Sequence, residues 1–426
     1  MAATAGLALT ATNAIPSASA VPTHASNIQY TSKTVLIPTQ TIKQQLVSVS
    51  KDGATYTFKS KHGVLAKLEP GKVMLLQHLA ARDVQKVKTS HGRFVVSTTP
   101  AALTDLVQNG SLSLNSPIDF SKGFVVSGSS VPPEFSAQPR TSLPAKFGMV
   151  PLAAAGEIKV SGKVKGYDWE VGFTHEGKSV GVDVTITRKR PVKVDVTISG
   201  TLDNLKTGGN ISIKKGKLAK AKMLANSLQG EFKLEYSAKP ISQFGLGKAG
   251  GVRVELPAEI VVPFFVGEIP FFVAVRVAFV AEAGFSSFNQ KLSGSWSLKY
   301  DGQGGFSTSS SGATSPAGVL KGLADIILNA RNAVQNGPLS FELGAQMPQV
   351  ELGLGVKGFN VAGNITLQGV TEIATQGSNC DTRKMEITGT AGATASFFGL
   401  SGDLGSATLF DKTINAAYPR GCGVAP

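Results

Sequence analysis

Val182-Asp183-Val184-Thr185-Ile186 and, a short turn later, Val192-Lys193-Val194-Asp195-Val196-Thr197-Ile198 carry an apolar residue at every second position and a polar one between. Successive side chains of a strand point to opposite faces, so this alternation describes an antiparallel sheet with one face buried and one in water. β-branched residues at the apolar positions strengthen the reading, because their stiff side chains fit a pleated surface.

The same pattern extends outward from Ile158 to Tyr300. The segment Ile260 to Val280 departs from it: Val261, Val262, Phe264, Phe265 and Val266, then Phe271, Phe272, Val273, Val275, Val277 and Phe279 make both faces apolar. Such strands must be covered on both sides. One cover is expected from a long amphipathic helix at 316–335, opened by Ser315-Pro316 and closed by Asn336-Gly337-Pro338. Its stripe is Val319, Leu320, Leu323, Ile326, Ile327, Ala330 and Val334. The expected fold is therefore mainly β: a small N-terminal β module, then a large antiparallel body, sandwich or curved sheet, packed on that helix.

Boundaries follow from composition. Residues 1–27 read as a leader and 28–126 as the N-terminal module. Asp52-Gly53 and His91-Gly92 mark hairpins there, and a short helix is expected at Ala101–Gln108, stopped by Asn109-Gly110. Residues 127–156, with Pro132, Pro133, Pro139, Pro144 and Pro151, read as a semi-rigid linker, and 157–426 as the body. Gly302 to Thr314 reads as a Gly/Ser loop.

Only 16% of the 426 residues are charged, against 42% hydrophobic. Globular chains average about a quarter charged, so a coiled coil and a helical cytosolic protein are disfavoured, while the apolar fraction argues against disorder throughout. The 42 Lys+Arg against 28 Asp+Glu leave a net charge of +14, which attracts anionic partners. Much of the excess lies between Arg188 and Lys222, where Arg188, Lys189, Arg190, Lys193, Lys206, Lys214, Lys215, Lys217, Lys220 and Lys222 face only Asp195 and Asp203. Nucleic-acid readers interleave stacking aromatics with their basic residues. This run has none, so anionic polysaccharide or a cell surface is the expected partner, met through Arg188, Lys189, Arg190, Lys193, Lys214, Lys215 and Lys217.

The two cysteines, Cys380 and Cys422, lie near the C-terminus without the spacing of a metal or thioredoxin site. A disulfide between them is expected, worth about 4 kcal/mol for a loop of that length, and it implies an oxidising compartment. Residues 1–32 carry no Lys, Arg, Asp or Glu and contain Ala18-Ser19-Ala20, an A-x-A cleavage pattern. Secretion is the expected localisation. The most apolar run, Ala258 to Ala283, is broken by prolines and charges and does not read as a membrane-spanning helix.

Catalytic and cofactor motifs dissolve on inspection. Gly172 to Ser179 spells the phosphate-loop pattern, but Val180, Val182, Val184 and Ile186 follow at strand period where a helix is required. The GxGxxG strings at Gly245 and Gly353 likewise run into strand-like sequence. His24, His62, His78, His91 and His175 form no ligand pair, so no metal or cofactor is expected. Asp168 and Glu170, flanking Trp169, are the one carboxylate pair that alternation places on a single face, the minimum for a glycoside-active enzyme.

The whole resembles, in composition, bacterial cell-surface and matrix proteins. The leader, the disulfide, the lack of an assembled catalytic motif and the basic excess together lead us to expect a secreted, non-catalytic protein acting by binding or self-assembly. The alternative is a carrier of lipid or another apolar ligand held beside Phe264, Phe265, Phe271, Phe272 and Phe279, in the manner of folds that wrap a curved sheet around a long helix.

Overall fold

A computed structural model describes residues 25–50, 53–127, 149–152, 156–164, 166–190, 192–240, 247–248, 252–285, 291–310, 314–321, 327–329, 332–333, 339–354, 361–376, 380–394 and 403–418. The chain is mainly β, arranged in three sheets, with two α-helices among these residues, Thr39–Gln45 and Leu103–Leu106.

The six-stranded sheet is built from N-terminal hairpins. Strands Leu46–Val49 and Thr55–Phe58 pair antiparallel, as do Ala80–Ser90 and Arg93–Pro100. The second turn has positive φ at both His91 and Gly92, the twist that matches two right-handed strands. Thr34–Ile37 adds in parallel beside Val73–Leu76.

The thirteen-stranded sheet runs in the order Ala25–Tyr30, Val107–Leu114, Lys206–Lys214, Lys217–Asn226, Lys291–Ser309, Gly230–Pro240, Val192–Asp203, Ser179–Arg188, Tyr167–Glu176 and Glu157–Val164, with three short strands added on Lys291–Ser309. The period-2 segments behave as their sequence requires: Val184 pairs with Ile198 and Ile186 with Val196, and all four are buried. The phosphate-loop string is a hairpin, strands 167–176 and 179–188 joined at Gly177, whose φ is +57°.

The nine-stranded sheet is a meander of Val252–Val266, Ile269–Phe285, Leu339–Leu354, Val361–Gln376, Cys380–Thr394 and Asp403–Tyr418, flanked by Phe124–Ser127 and Met149–Pro151 and with Gly247–Lys248 beside Ile269–Phe285. It is the middle layer. Ile260, Val262, Phe264, Phe271, Val273, Val275 and Phe279 enter the large core shared with the thirteen-stranded sheet. Val261, Phe272 and Ala274, offset by one residue, enter a second core with Met74, Leu76, Phe58 and Phe94 of the six-stranded sheet. The doubly apolar strands are thus covered by a sheet on each face.

The long helix expected at 316–335 is not there. Thr314–Lys321 is a strand whose Pro316 opposes Phe306 and whose Val319 opposes Gln303, while Ile327–Asn329 and Asn332–Ala333 pair with the earlier half of the Lys291–Ser309 strand. The reason lies in the segment before it. Gly302–Ser309 is strand rather than loop, and it offers an unpaired edge to the residues that follow. A Cβ on Gly305 would collide with the Met223 carbonyl oxygen, so glycine is what lets the neighbouring strand approach.

The helix expected at Ala101–Gln108 is one turn, Leu103–Leu106. The Asp105 carboxylate accepts from the Ala102 N–H at 3.0 Å, and Asn109-Gly110 continue a strand instead of stopping a helix. Strands from residues 25–127 therefore join all three sheets. No described helix is long and apolar enough to cross a membrane. Cys380 begins a strand, while Cys422 lies outside the described residues, as do residues 1–24 and 128–148.

Candidate functional site

Charge on the outer face of the thirteen-stranded sheet is unevenly spread. Towards its Glu157–Val164 edge, acids and bases sit side by side: Lys159 with Glu157 and Glu170, Lys163 with Asp168, Lys193 with Asp195, and Lys233 with Glu235. At the other side, the four consecutive strands 25–30, 107–114, 206–214 and 217–226 contain no Asp or Glu. They contain Lys206, Lys214, Lys217, Lys220 and Lys222, with Lys215 in the turn.

Alternation fixes where these lysines point. Ile211, Ile213, Leu218, Ala221 and Met223 are buried in the large core, so Lys206, Lys214, Lys217, Lys220 and Lys222 project from the opposite face and are exposed. Cross-strand register sets Lys206 opposite Asn226, Asn210 opposite Lys222, Ser212 opposite Lys220 and Lys214 opposite Lys217. The lysines form a stripe along one hairpin. Ser111 and Ser113 lie beside Ser212 and Asn210 on one flank, and Ser307 beside Lys222 on the other. None of the six lysines is ion-paired to a described residue.

The tip is held in a specific shape. Lys215 adopts φ +52° and Gly216 φ +68°. The Lys215 N–H donates to Asn109 Oδ1 at 2.8 Å, and the Gly216 N–H to the Gln108 carbonyl at 2.7 Å. A lysine in the left-handed region costs about 1–2 kcal/mol relative to the ordinary helical region, and here it puts a third ammonium between Lys214 and Lys217.

The basic run read from sequence is divided by the fold. Arg188, Lys189, Arg190 and Lys193 belong to another hairpin: Arg188 lies over the Tyr167 ring at 5.3 Å and donates to the Arg190 carbonyl, and Lys193 pairs with Asp195 at 3.1 Å. Register relays Lys193 through Lys239 to the start of the Lys291–Ser309 strand, whereas Lys220 faces Ser309 at its end. Lys193 and Lys220 are thus about 60 Å apart along that strand. Asn109, Ser111, Ser113, Asn210 and Ser212 were not legible as parts of a site, because only the register brings them beside the lysines.

Two other arrangements expected from sequence are located. Asp168 and Glu170 share the outer face beside a shallow trough of about 360 Å³ lined by Ser161, Lys163, Thr185 and Thr187. The hydrogen bond from Lys163, at 2.8 Å, holds the Asp168 carboxyl below its ordinary range, and Glu170 has Lys159 at 3.5 Å. A glycosidic acid needs a carboxyl pushed the other way. Of the five phenylalanines, Phe264, Phe271, Phe272 and Phe279 are buried between sheets, and Phe265 meets His78 edge-on at 4.7 Å. A cavity beside Val273, Phe306, Val350 and Leu352 has about 20 Å³, room for a single water.

No curated protein and no solved structure matches the chain. Residues 18–109 match the family described as domain of unknown function DUF8403. Residues 148–405, more than half of the chain, match domain of unknown function DUF8402, and the protein belongs to that family.

Proposed function

We propose that this is a secreted, non-catalytic β scaffold held to an anionic partner, at a cell surface or in an extracellular matrix, by the lysine stripe of the 206–226 hairpin. One observation carries the reading: four adjacent strands without an acid present five exposed, unpaired lysines on one face. Unpaired like charges repel and add nothing to folding, so a partner of opposite charge gives them a role. The A-x-A pattern at Ala18-Ser19-Ala20 and the pair Cys380 and Cys422, taken as a disulfide, support export. The Arg188–Lys193 group is secondary, because Lys193 already has Asp195.

The test is charge reversal at Lys214, Lys215 and Lys217 with retention measured on a heparin-like or acidic glycan matrix. Retention falls, and its salt dependence flattens, if the stripe is the contact. Unchanged retention at every ionic strength overturns the reading.

A further inference from the structure

The stripe has a direction and a chemistry of its own, and from these we propose that its partner is a linear acidic polysaccharide lying lengthwise along the hairpin, from Lys206 to the tip at Lys215. This rests on the anion-binding reading above and narrows it to one class of polymer and one orientation.

The orientation follows from register. Lys206, Lys222, Lys220 and then Lys214 with Lys217 follow one another along the two paired strands. From Lys206 to Lys214 the strand rises about 27 Å. Across the strands no neighbouring row supplies a cation: Ser111 and Ser113 stand on one side, Ser307 on the other. A polyanion lying across the strands meets one lysine, or the three of the tip. One lying along them meets every level.

The chemistry follows from what flanks the ammonium groups. Strands 107–114, 206–214 and 217–226 contain no Phe, Tyr or Trp. Base stacking on aromatics supplies much of the affinity of single-stranded nucleic acid, and it is missing here. Membrane surfaces are gripped by lysines together with inserted apolar side chains. Every Val, Leu, Ile and Met of strands 107–114, 206–214 and 217–226 is buried, so none is free to insert. What remains beside the lysines is hydroxyl and amide: Ser111, Ser113, Ser212 and Asn210, whose Nδ2 donates to Ser111 Oγ at 2.9 Å. Hydroxyls and amides are donors and acceptors for sugar hydroxyls, as the ammonium groups are donors for carboxylate or sulfate.

The experiment uses the full chain and three probes: heparin oligosaccharides of increasing length, single-stranded oligothymidylate of matched charge, and vesicles of phosphatidylserine and phosphatidylcholine. Two double variants are compared, Lys206→Ser with Lys222→Ser in the half away from the tip, and Lys214→Ser with Lys217→Ser at the tip; all four sites are exposed, and thermal melting checks the fold. Affinity is expected to rise with oligosaccharide length until the chain spans the stripe. Each double variant is expected to weaken the long oligosaccharide about tenfold. Loss confined to the tip variant overturns the lengthwise orientation. Tighter binding of oligothymidylate or vesicles than of heparin overturns the polysaccharide assignment while leaving anion binding intact. Absence of binding to all three overturns the anion-binding reading itself.

Discussion

Phe271 and Phe272 are chain neighbours, both with no more than 1% of their surface exposed, yet they belong to different cores. Phe271 stacks on Phe264 at 5.5 Å between the nine- and thirteen-stranded sheets, while Phe272 points the other way, into the six-stranded sheet. Replacing either with Ala removes a buried ring and leaves a cavity, costing about 3–5 kcal/mol. The two variants are expected to differ in what loosens. Phe272→Ala exposes the N-terminal sheet to limited proteolysis first, and Phe271→Ala lowers the stability of the whole body. Identical cleavage patterns contradict separate cores. Organic extracts of the wild-type protein are expected to carry no stoichiometric lipid, since sheets already cover both faces.

Asp83 is a pH-dependent weakness. Burial, then the nearby Asp105 carboxylate, push its carboxyl up to about 6, against the opposing pull of Arg82 and Lys33. The folded protein holds this proton more tightly than the unfolded chain, whose aspartate ionises near pH 4. Stability therefore falls as pH rises from about 4 to about 6, and the loss persists above that window. Asp83→Asn is expected to raise stability at pH 7 by on the order of 1 kcal/mol, discounted for a half-exposed site, and to change nothing below pH 4. Urea unfolding across that range measures it; a pH-independent effect counts against the titration.

Much of this was legible in the sequence and part was not, for identifiable reasons. The alternation at Val182–Ile198 specified its own strands, because period 2 with one buried face fixes which side chains point inward. The apolar strands 260–280 announced two covers without saying what they were. Residues 316–335 carry a stripe that fits a helix, and only the edge offered by the preceding strand at Gly302–Thr308 makes Thr314–Lys321 a strand. Pairing with a strand edge overrides helical periodicity in such a case. The basic run was misleading for a related reason: Val192–Asp203 and Lys206–Lys214 adjoin in sequence but are separated by three strands in the sheet order, so Lys193 and Lys214 stand far apart on its outer face.

Arg276 bridges three strands of the middle sheet, donating from Nε to Glu259 at 2.8 Å and from Nη2 to Glu351 at 2.5 Å. The Glu351 side chain is 5% exposed. Arg276→Met takes the guanidinium from a buried carboxylate and is expected to cost about 3 kcal/mol or more. Adding Glu351→Gln recovers part of the loss, since a neutral amide tolerates burial better than an unbalanced charge. An unfolding midpoint for Arg276→Met equal to that of wild type argues against a structural role.

The tip lysine sets stability against binding. Lys215 occupies the first central position of a turn that favours Asn or Gly, at φ +52°, and its amide is secured by the Asn109 side chain. Lys215→Gly removes the steric cost of that conformation, offset by glycine's greater freedom in the unfolded chain, for a net gain expected at up to about 1 kcal/mol. Had the position been shaped for folding alone, that change would be without penalty. If Lys215 contacts the anionic partner, the more stable variant binds the acidic glycan matrix less well and elutes at lower salt. Asn109→Ala supplies the complementary case: it keeps all six lysines and removes the acceptor that fixes the tip, so it is expected to lower stability by about 1 kcal/mol and to weaken retention less than Lys215→Gly does. A Lys215→Gly protein that is more stable and elutes at the wild-type salt concentration removes Lys215 from the contact surface and leaves its backbone conformation without a functional account.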